Sequence, residues 1–198
     1  MSKNSDYYIH PLYILITLVL GSISALFLGF SGAYIYSRIQ NGQPPIEIPS
    51  LFYLNTLFLL SSSFCIHRAN QTFKNDETYS YKNFLGLTLL LSLLFLVFQI
   101  IAWQQMINLN HSITSSTMSG YLYVLSGVHL MHLIGGMPFL AIFLYDALKQ
   151  LNEPVRTILY LSDEDRRRKL RLISIYWHFL DALWLYLLLF FIVNLWIS

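Results

Sequence analysis

The segment that decides how this chain folds is Tyr176-Trp177-His178-Phe179-Leu180-Asp181-Ala182-Leu183-Trp184. An imidazole and a carboxylate three residues apart share one face of a helix. Both lie inside an apolar stretch that is long enough to cross a bilayer. A charge at the centre of the hydrocarbon costs at least about 2.5–3.5 kcal/mol. We therefore expect His178 and Asp181 to point toward other helices, a partner subunit or a cavity, and away from lipid.

The composition around this segment is that of a polytopic membrane protein. Of 198 residues, 56% are hydrophobic and only 11% are charged. Every backbone polar group in lipid has to be satisfied within the chain, so apolar spans of about 20 residues fold as helices. The sequence predicts an all-α membrane protein that forms a single domain over residues 1–198. Its five predicted transmembrane helices cover residues 12–36, 51–67, 84–107, 117–145 and 172–196.

The distribution of positive charge predicts the orientation. With five crossings, eleven of the twelve lysines and arginines fall on one side of the membrane, and only Arg38 falls on the other. Positive residues accumulate on the cytoplasmic side. We therefore expect a cytoplasmic N-terminus and an outer C-terminus. The eleven residues are Lys3, Arg68, Lys74, Lys82, Lys149, Arg156, Arg166, Arg167, Arg168, Lys169 and Arg171.

A basic cluster precedes the last span. Ser162 is expected to cap the helix, followed by acidic residues that pair with basic ones four positions later. Such a cluster beside an apolar span is typical of a topological anchor that contacts anionic lipid, and we do not expect a nucleic-acid partner. The cluster consists of Arg166, Arg167, Arg168, Lys169 and Arg171.

A second polar group lies in the fourth span, where His129 and His132 are three residues apart beside Gly135 and Gly136. Because imidazole is a common ligand, this spacing also fits a metal or haem site, or a proton path. We favour a structural hydrogen-bond network without catalytic, metal or cofactor-binding residues. Its predicted members are His129, His132, His178, Asp181, Gln99 and Asn55.

These segments together resemble subunit III of the haem–copper oxidases, the cytochrome c oxidase subunit III family. The resemblance is carried by residues 176–184, by Ser126-Gly-Val-His-Leu-Met-His-Leu-Ile-Gly-Gly136, and by Asn55-Thr-Leu-Phe-Leu-Leu-Ser-Ser-Ser63. Residues 87–99 add to it, and the segments occur in family order. This chain is similar to a short, five-helix form of the family.

The resemblance implies a V-shaped helical bundle whose cleft holds phospholipid. It also implies that haem and copper lie in partner subunits I and II, where electrons reach oxygen and protons are pumped. This chain would stabilise that core and support proton uptake, without a redox centre of its own. Subunit I would be its main contact, with subunit II and other respiratory complexes as further partners. The expected location is the bacterial plasma membrane, with the mitochondrial inner membrane as the second choice.

Three positions depart from the family pattern. Members often carry a buried glutamate after a serine in the first of these helices, whereas Ser22 is followed here by Ile23. No acid occurs between Asp6 and Glu47. Arg171 stands near the place of a second glutamate, and Ala102 replaces a common acid or glycine. The chain resembles a member that has lost its proton-associated carboxylates.

The sequence leaves several functions open. The electron donor is selected by other subunits, so a quinol oxidase subunit III or a nitric-oxide-reductase accessory protein remains an alternative to a cytochrome c oxidase subunit. An independent transporter is a remoter alternative, since such proteins show internal repeats or broken helices. A membrane enzyme with a metal at His129, His132 and Asp181 is a third class, for which no cofactor motif is present.

Overall fold

The computed structural model describes residues 10–46, 48–151 and 153–197, and the side chains of these residues except 154 and 155. Lys3, Asp6 and Glu47, which enter the orientation and acid-content arguments, lie outside the described residues. The described part of the chain forms six α-helices. They are α1 (Pro11–Asn41), α2 (Leu51–Lys74), α3 (Thr78–Asn108), α4 (Thr117–Gln150), α5 (Pro154–Ser162) and α6 (Glu164–Trp196).

The all-helical architecture agrees with the sequence prediction. Among the described helices, α1, α3, α4 and α6 have the length and apolar composition needed to cross a membrane. The remaining predicted span lies in α2, which is 24 residues long and contains more polar side chains. Its polar residues include Asn55 and Ser62, both fully buried against other helices.

Local sequence signals explain several helix ends. Pro11 occupies the first turn of α1, where a missing backbone N–H costs nothing. Gly42 ends α1 with a φ of 57°, a left-handed conformation that favours glycine. The Ser116 hydroxyl accepts a hydrogen bond of 3.0 Å from the Ser119 N–H at the start of α4.

The region before the last span differs from the prediction. Helix α5 was not expected, and Ser162 is its last residue instead of the cap of α6. Asp163 caps α6, since its Oδ1 accepts hydrogen bonds from the N–H groups of Asp165 and Arg166. A carboxylate is favoured here because it also complements the positive end of the helix dipole. The helices extend beyond the predicted apolar spans: α2 continues to Lys74, α3 begins at Thr78, and α6 runs unbroken from the basic cluster into its apolar segment, as expected.

Helices α4 and α6 form the centre of the bundle. They pack against each other, α3 lies against α4, and α2 lies against α6. Helices α2 and α3 make the most extensive pair, while α1 packs only along parts of α4 and α6. Helix α1 is consequently peripheral, and only 11% of its most apolar stretch is buried inside the chain.

The contact between α4 and α6 requires a glycine at position 136. A Cβ atom there would lie 2.7 Å from Tyr176 Cε1 and 3.1 Å from Trp177 Cζ3. The close approach also brings the Tyr176 hydroxyl to 2.8 Å from the His132 carbonyl oxygen, to which it donates a hydrogen bond. Gly135 has open space around the equivalent position.

Helix α5 is attached to the bundle through Tyr160, which is almost fully buried. The Tyr160 ring lies against Phe73 of α2 and Tyr81 of α3. The Arg166 guanidinium stacks over this ring at 4.0 Å and makes a 2.9 Å ion pair with Asp146 of α4. One arginine therefore links α4, α5 and α6.

Candidate functional site

The candidate site is a set of buried polar contacts between helices, and its clearest pair joins α2 to α3. Asn55 Nδ2 donates a hydrogen bond of 2.7 Å to Gln99 Oε1, and both residues are completely buried. The other polar atom of each amide, Asn55 Oδ1 and Gln99 Nε2, has no hydrogen-bond partner among the described residues. Each amide thus keeps one unused polar group in the core.

Two tryptophans of α6 extend these contacts toward α2. Trp177 Nε1 donates to Ser62 Oγ at 3.0 Å, and Trp184 Nε1 donates to Thr56 Oγ1 at 3.1 Å. The Ser62 hydroxyl also lies 3.3 Å from that of Ser92 on α3. Each indole therefore buries a large apolar ring and satisfies its single donor on a hydroxyl of α2.

Sequence reasoning did not find these indole–hydroxyl pairs. The available signal was the recurrence of hydroxyl side chains, among them Thr56, Ser62 and Ser63, within the apolar first part of α2. Nothing in the sequence, however, gives the register of α6 against α2. Trp177 and Trp184 are one heptad apart on α6, and their partners Ser62 and Thr56 are six residues apart on α2. The residue numbers rise along α6 as they fall along α2, so the two helices run antiparallel.

The two histidines of α4 contact different neighbours, although a spacing of three residues places both on one side of the helix. His129 is fully buried between Phe95 of α3 and Trp184 of α6, with ring centroids 5.8 Å and 5.2 Å away. The His132 ring instead lies 6.3 Å from that of Phe27 on α1. Side chains three residues apart on a helix point in directions that differ by about 60°. In a packed bundle this difference is enough for His129 and His132 to contact different helices.

The hydrogen bonding of these two histidines also differs. His132 Nδ1 lies 2.7 Å from the Val128 carbonyl oxygen and donates to it in the Nδ1–H tautomer. Neither ring nitrogen of His129 has a hydrogen-bond partner among the described residues. His129 therefore sits in an aromatic cage and is not linked to the Asn55–Gln99 pair.

His178 points toward another helix, as expected, and that helix is α2. His178 Nδ1 and Ser63 Oγ share a hydrogen bond of 2.7 Å. The His67 ring of α2 lies 6.2 Å from the His178 ring. His67 in turn lies 3.0 Å from the Gln71 side chain one turn further along α2.

Asp181 is buried, with 4% of its surface exposed, as its cost in lipid requires. We expected hydrogen bonds to satisfy its carboxylate, but neither Oδ1 nor Oδ2 has such a partner within the described residues. Ser63 is close enough to interact with it electrostatically while its hydroxyl bonds His178. The carboxyl group thus retains its full capacity to accept hydrogen bonds.

The predicted network divides into separate clusters. One contains Asn55 and Gln99, a second surrounds His129, and a third contains His178 and Asp181. In the part of the chain that the structure describes, no three histidine, cysteine or acidic side chains converge on a point where a metal ion would bind. The arrangement can fix the register of helices, because each polar contact joins one particular pair of positions.

The basic cluster at the start of α6 has mixed surroundings. Arg166 is half-buried through Asp146 and Tyr160, and Arg168 pairs with Asp165 at 3.1 Å, three residues away instead of the expected four. The remaining members, Arg167, Lys169 and Arg171, are exposed. Three side chains therefore remain available to headgroups or solvent.

Comparison with known proteins places this architecture in a family. The sequence profile of the family described as cytochrome c oxidase subunit III matches residues 37–198. The chain is 28% identical to cytochrome c oxidase subunit 3 of Synechocystis sp., over 87% of this chain and 71% of the relative. It is also 28% identical to the corresponding protein of Bacillus sp. (strain PS3), over 86% of this chain and 79% of the relative.

A quinol oxidase subunit is also among the relatives. Cytochrome bo(3) ubiquinol oxidase subunit 3 of Buchnera aphidicola is 27% identical over 70% of this chain and 66% of its own length. The matched residues 37–198 include α2 to α6 and every polar contact between α2, α3 and α6 described above. The chain belongs to the cytochrome c oxidase subunit III family, whose members are subunits of haem–copper oxidases.

Proposed function

We propose that this chain is the non-catalytic, integral-membrane subunit III of a respiratory terminal oxidase that passes electrons from cytochrome c to oxygen and translocates protons. The family match over residues 37–198 carries the proposal. In this proposal haem and copper are held by subunits I and II, the first of which is its main contact. The complex would reside in a bacterial plasma membrane, and the whole chain would act as one membrane domain.

We further propose five membrane crossings, with α2 as the second. Its 24 residues extend about 36 Å, which exceeds the roughly 30 Å of the hydrocarbon core. The polar side chains Asn55 and Ser62 are buried, whereas Leu57, Leu60 and Phe64 are exposed. Helix α2 also packs along apolar α3. Five crossings keep the basic residues of the described chain on one side, except for Arg38, which supports a cytoplasmic N-terminus.

The role that we propose for the buried polar residues is to hold the helices in register and so keep a rigid surface for the core subunits. The observation in favour is that the polar contacts of α2 go to particular positions on α3 and α6. Hydrogen bonds of this kind contribute about 0.6 kcal/mol each on average in membranes. If one helix shifted along its neighbour, several polar groups would lose their partners at once. Together the contacts therefore favour one register by more than the energy of a single hydrogen bond.

A quinol oxidase subunit III is the second candidate, favoured by the similarity to the Buchnera protein. Purification through a tag on this chain tests both proposals. We expect co-purified subunits I and II, a reduced-minus-oxidised spectrum of a-type haem, and oxygen uptake with reduced cytochrome c. Oxygen uptake with quinol alone would favour the second candidate. Purification without any haem-containing partner would overturn both.

A further inference from the structure

Helices α2 and α6 meet along a seam whose outer surface carries two imidazole rings. We call this surface the α2–α6 seam, and it consists of Leu60, Phe64 and His67 of α2 and of Ile175, His178 and Ala182 of α6. On each helix the three residues are three or four positions apart, so they share one face. His67 and Ala182 are exposed, and His178 is half-buried. The rings of His67 and His178 lie 6.2 Å apart, which joins the two faces into one surface.

His178 lies at the depth of the hydrocarbon core in the topology proposed above. It is seven residues beyond Arg171, the last residue of the basic cluster, which corresponds to about 10 Å along a helix axis. Ser63 of α2 lies at the same depth, because its hydroxyl is hydrogen-bonded to the His178 ring. Acyl chains offer no hydrogen bond, so an imidazole that faces them is unfavourable. The composition of the α2–α6 seam therefore indicates contact with protein instead of lipid.

The outer surface of α3 shows the composition that lipid favours. Between positions 87 and 100 every exposed residue of α3 is aliphatic, and the polar side chains of Ser92 and Gln99 are buried against other helices. The exposed residues are Leu87, Leu90, Leu93, Val97 and Ile100. The α2–α6 seam belongs to the same bundle and crosses the same membrane. Its outward imidazoles are therefore a property of this particular side, which distinguishes it from the lipid-facing side of α3.

The hydrogen bonding behind the α2–α6 seam indicates which chemical group a partner supplies. Asp181 is buried one helical turn from His178, and its carboxylate attracts the proton of the nearby Ser63 hydroxyl. With that proton directed toward Asp181, Ser63 accepts a hydrogen bond of 2.7 Å from the Nδ1–H group of His178. A neutral imidazole that carries its proton on Nδ1 has its lone pair on Nε2. The group that meets His178 from outside is therefore a hydrogen-bond donor.

We propose that the α2–α6 seam is the contact surface for a transmembrane helix of another polypeptide, which packs closely at Ala182 and donates a hydrogen bond to Nε2 of His178. A hydroxyl, amide, indole or ammonium group on that helix has the required proton. Small residues such as alanine allow two helices in a membrane to approach closely. The proposal rests on the proposed function, because the other subunits of an oxidase supply the partner helix, and it holds for either electron donor.

Photo-cross-linking in native membranes tests which molecule covers the α2–α6 seam. Benzoylphenylalanine replaces Phe64, an aromatic residue with an exposed fraction of 56%, so the change in shape is small. The same reagent replaces Leu93 of α3, which is 45% exposed, as the matched control. We expect the label at position 64 to attach to another polypeptide at a several-fold higher yield than the label at position 93. The label at position 93 should attach to lipid.

Three results would overturn the proposal: attachment of the position-64 label to lipid alone, attachment to a second copy of this chain, or equal polypeptide yields at the two positions. The haem spectrum of the same samples reports the proposed oxidase function separately. Haem in the complex with only lipid attached at position 64 would contradict the seam contact and leave the oxidase function intact. A polypeptide attached at position 64 in a haem-free complex would support the contact and contradict the oxidase function.

Surface substitutions test the close approach at Ala182. Because Ala182 is exposed, A182F adds a bulky ring without filling the interior of this chain. It should reduce the polypeptide cross-link at position 64 several-fold and lower the recovery of partner subunits with the tagged chain. V97F, at a position of α3 that is 52% exposed, is the matched control and should leave both unchanged. Equal effects of A182F and V97F would overturn the proposal.

Two substitutions of His178 test the hydrogen bond. His178→Gln places an acceptor oxygen near the position of Nε2 and should keep most of the cross-link at position 64. His178→Phe keeps a ring but has no acceptor, and it should reduce the cross-link several-fold. Equal cross-linking by the two variants would overturn the hydrogen bond to the partner. The cross-link at Phe64 in a chain that retains His178 keeps the proposal testable if His178→Phe does not assemble.

Discussion

Asn55 and Gln99 form a hydrogen-bonded pair in the α2–α3 interface, close to the start of α2, with 2.7 Å between Nδ2 and Oε1. No part of either residue is exposed to solvent. The pair joins one particular position of α2 to one of α3, as the Ser62–Ser92 contact does further along the same interface. The coupling energy between Asn55 and Gln99 can be measured directly.

Replacing Gln99 by leucine should destabilise the chain by about 1–2 kcal/mol, because the Asn55 amide is then buried without its partner. Adding Asn55→Leu should restore part of this loss, so that the double variant is more stable than the sum of the single changes predicts. Thermal unfolding in detergent of both single variants and the double variant gives the coupling energy. Ser61→Ala, at an exposed position of α2, is the control. Strict additivity would show that the pair makes no net contribution.

Gly136→Ala should lower stability by about 1–3 kcal/mol, because the new Cβ would lie 2.7 Å from Tyr176 Cε1 and 3.1 Å from Trp177 Cζ3. Gly135→Ala is the matched control, since a Cβ at that position would have nothing within 4 Å. Alanine there should be neutral or gain up to about 1 kcal/mol of helix propensity. The comparison is made by thermal unfolding of the two variants. Equal effects at the two positions would contradict the close packing of α4 on α6.

Arg166→Gln should destabilise the attachment of α5 by about 1–2 kcal/mol, since it removes the Asp146 ion pair and the stacking on Tyr160. Arg166→Lys should have an intermediate effect, because it keeps the charge but not the planar guanidinium. Arg168→Gln, whose Asp165 partner is 71% exposed, should change stability by less than about 1 kcal/mol. Limited proteolysis between α4 and α6 measures the release of α5. Similar proteolysis of R166Q and the original chain would show that Tyr160 holds α5 without Arg166.

Asp181→Ala should weaken retention of this subunit before it alters oxygen reduction. Its carboxylate has no hydrogen-bond partner in the described chain, so we expect donors from Ser63 rotamers or from a partner subunit. Loss of such a bond costs about 1–3 kcal/mol, which is enough to loosen a contact between helices. Subunit stoichiometry, oxygen uptake and proton release are measured in the purified complex.

Asp181→Asn is the conservative comparison, because it keeps the shape and one acceptor oxygen. It should retain the subunit better than Asp181→Ala. A variant complex with full stoichiometry but without proton release would contradict the structural role and place Asp181 on a proton path.

Sequence alone determined the helical nature of this protein, the approximate position of its long apolar helices and the burial of Asp181. These features follow from local rules: apolar runs in lipid must satisfy their own backbone, and charges avoid hydrocarbon. The resemblance based on residues 176–184 also identified the family that the comparison confirmed. The contacts between the polar residues could not be predicted from the sequence. The sequence marked Asn55, Gln99, His129 and His178 as buried candidates, but only the tertiary structure decided which of them meet.

The pairing of Trp177 with Ser62, of Trp184 with Thr56 and of His178 with Ser63 depends on the register between α6 and α2. Register is a property of two helices together, because it is set by the packing of side chains from both, and neither helix determines it alone. For the same reason, the position of α5 followed only from the tertiary structure. Helix α5 has only nine residues, and its place in the fold is fixed by Tyr160 and Arg166, which contact α2, α3 and α4.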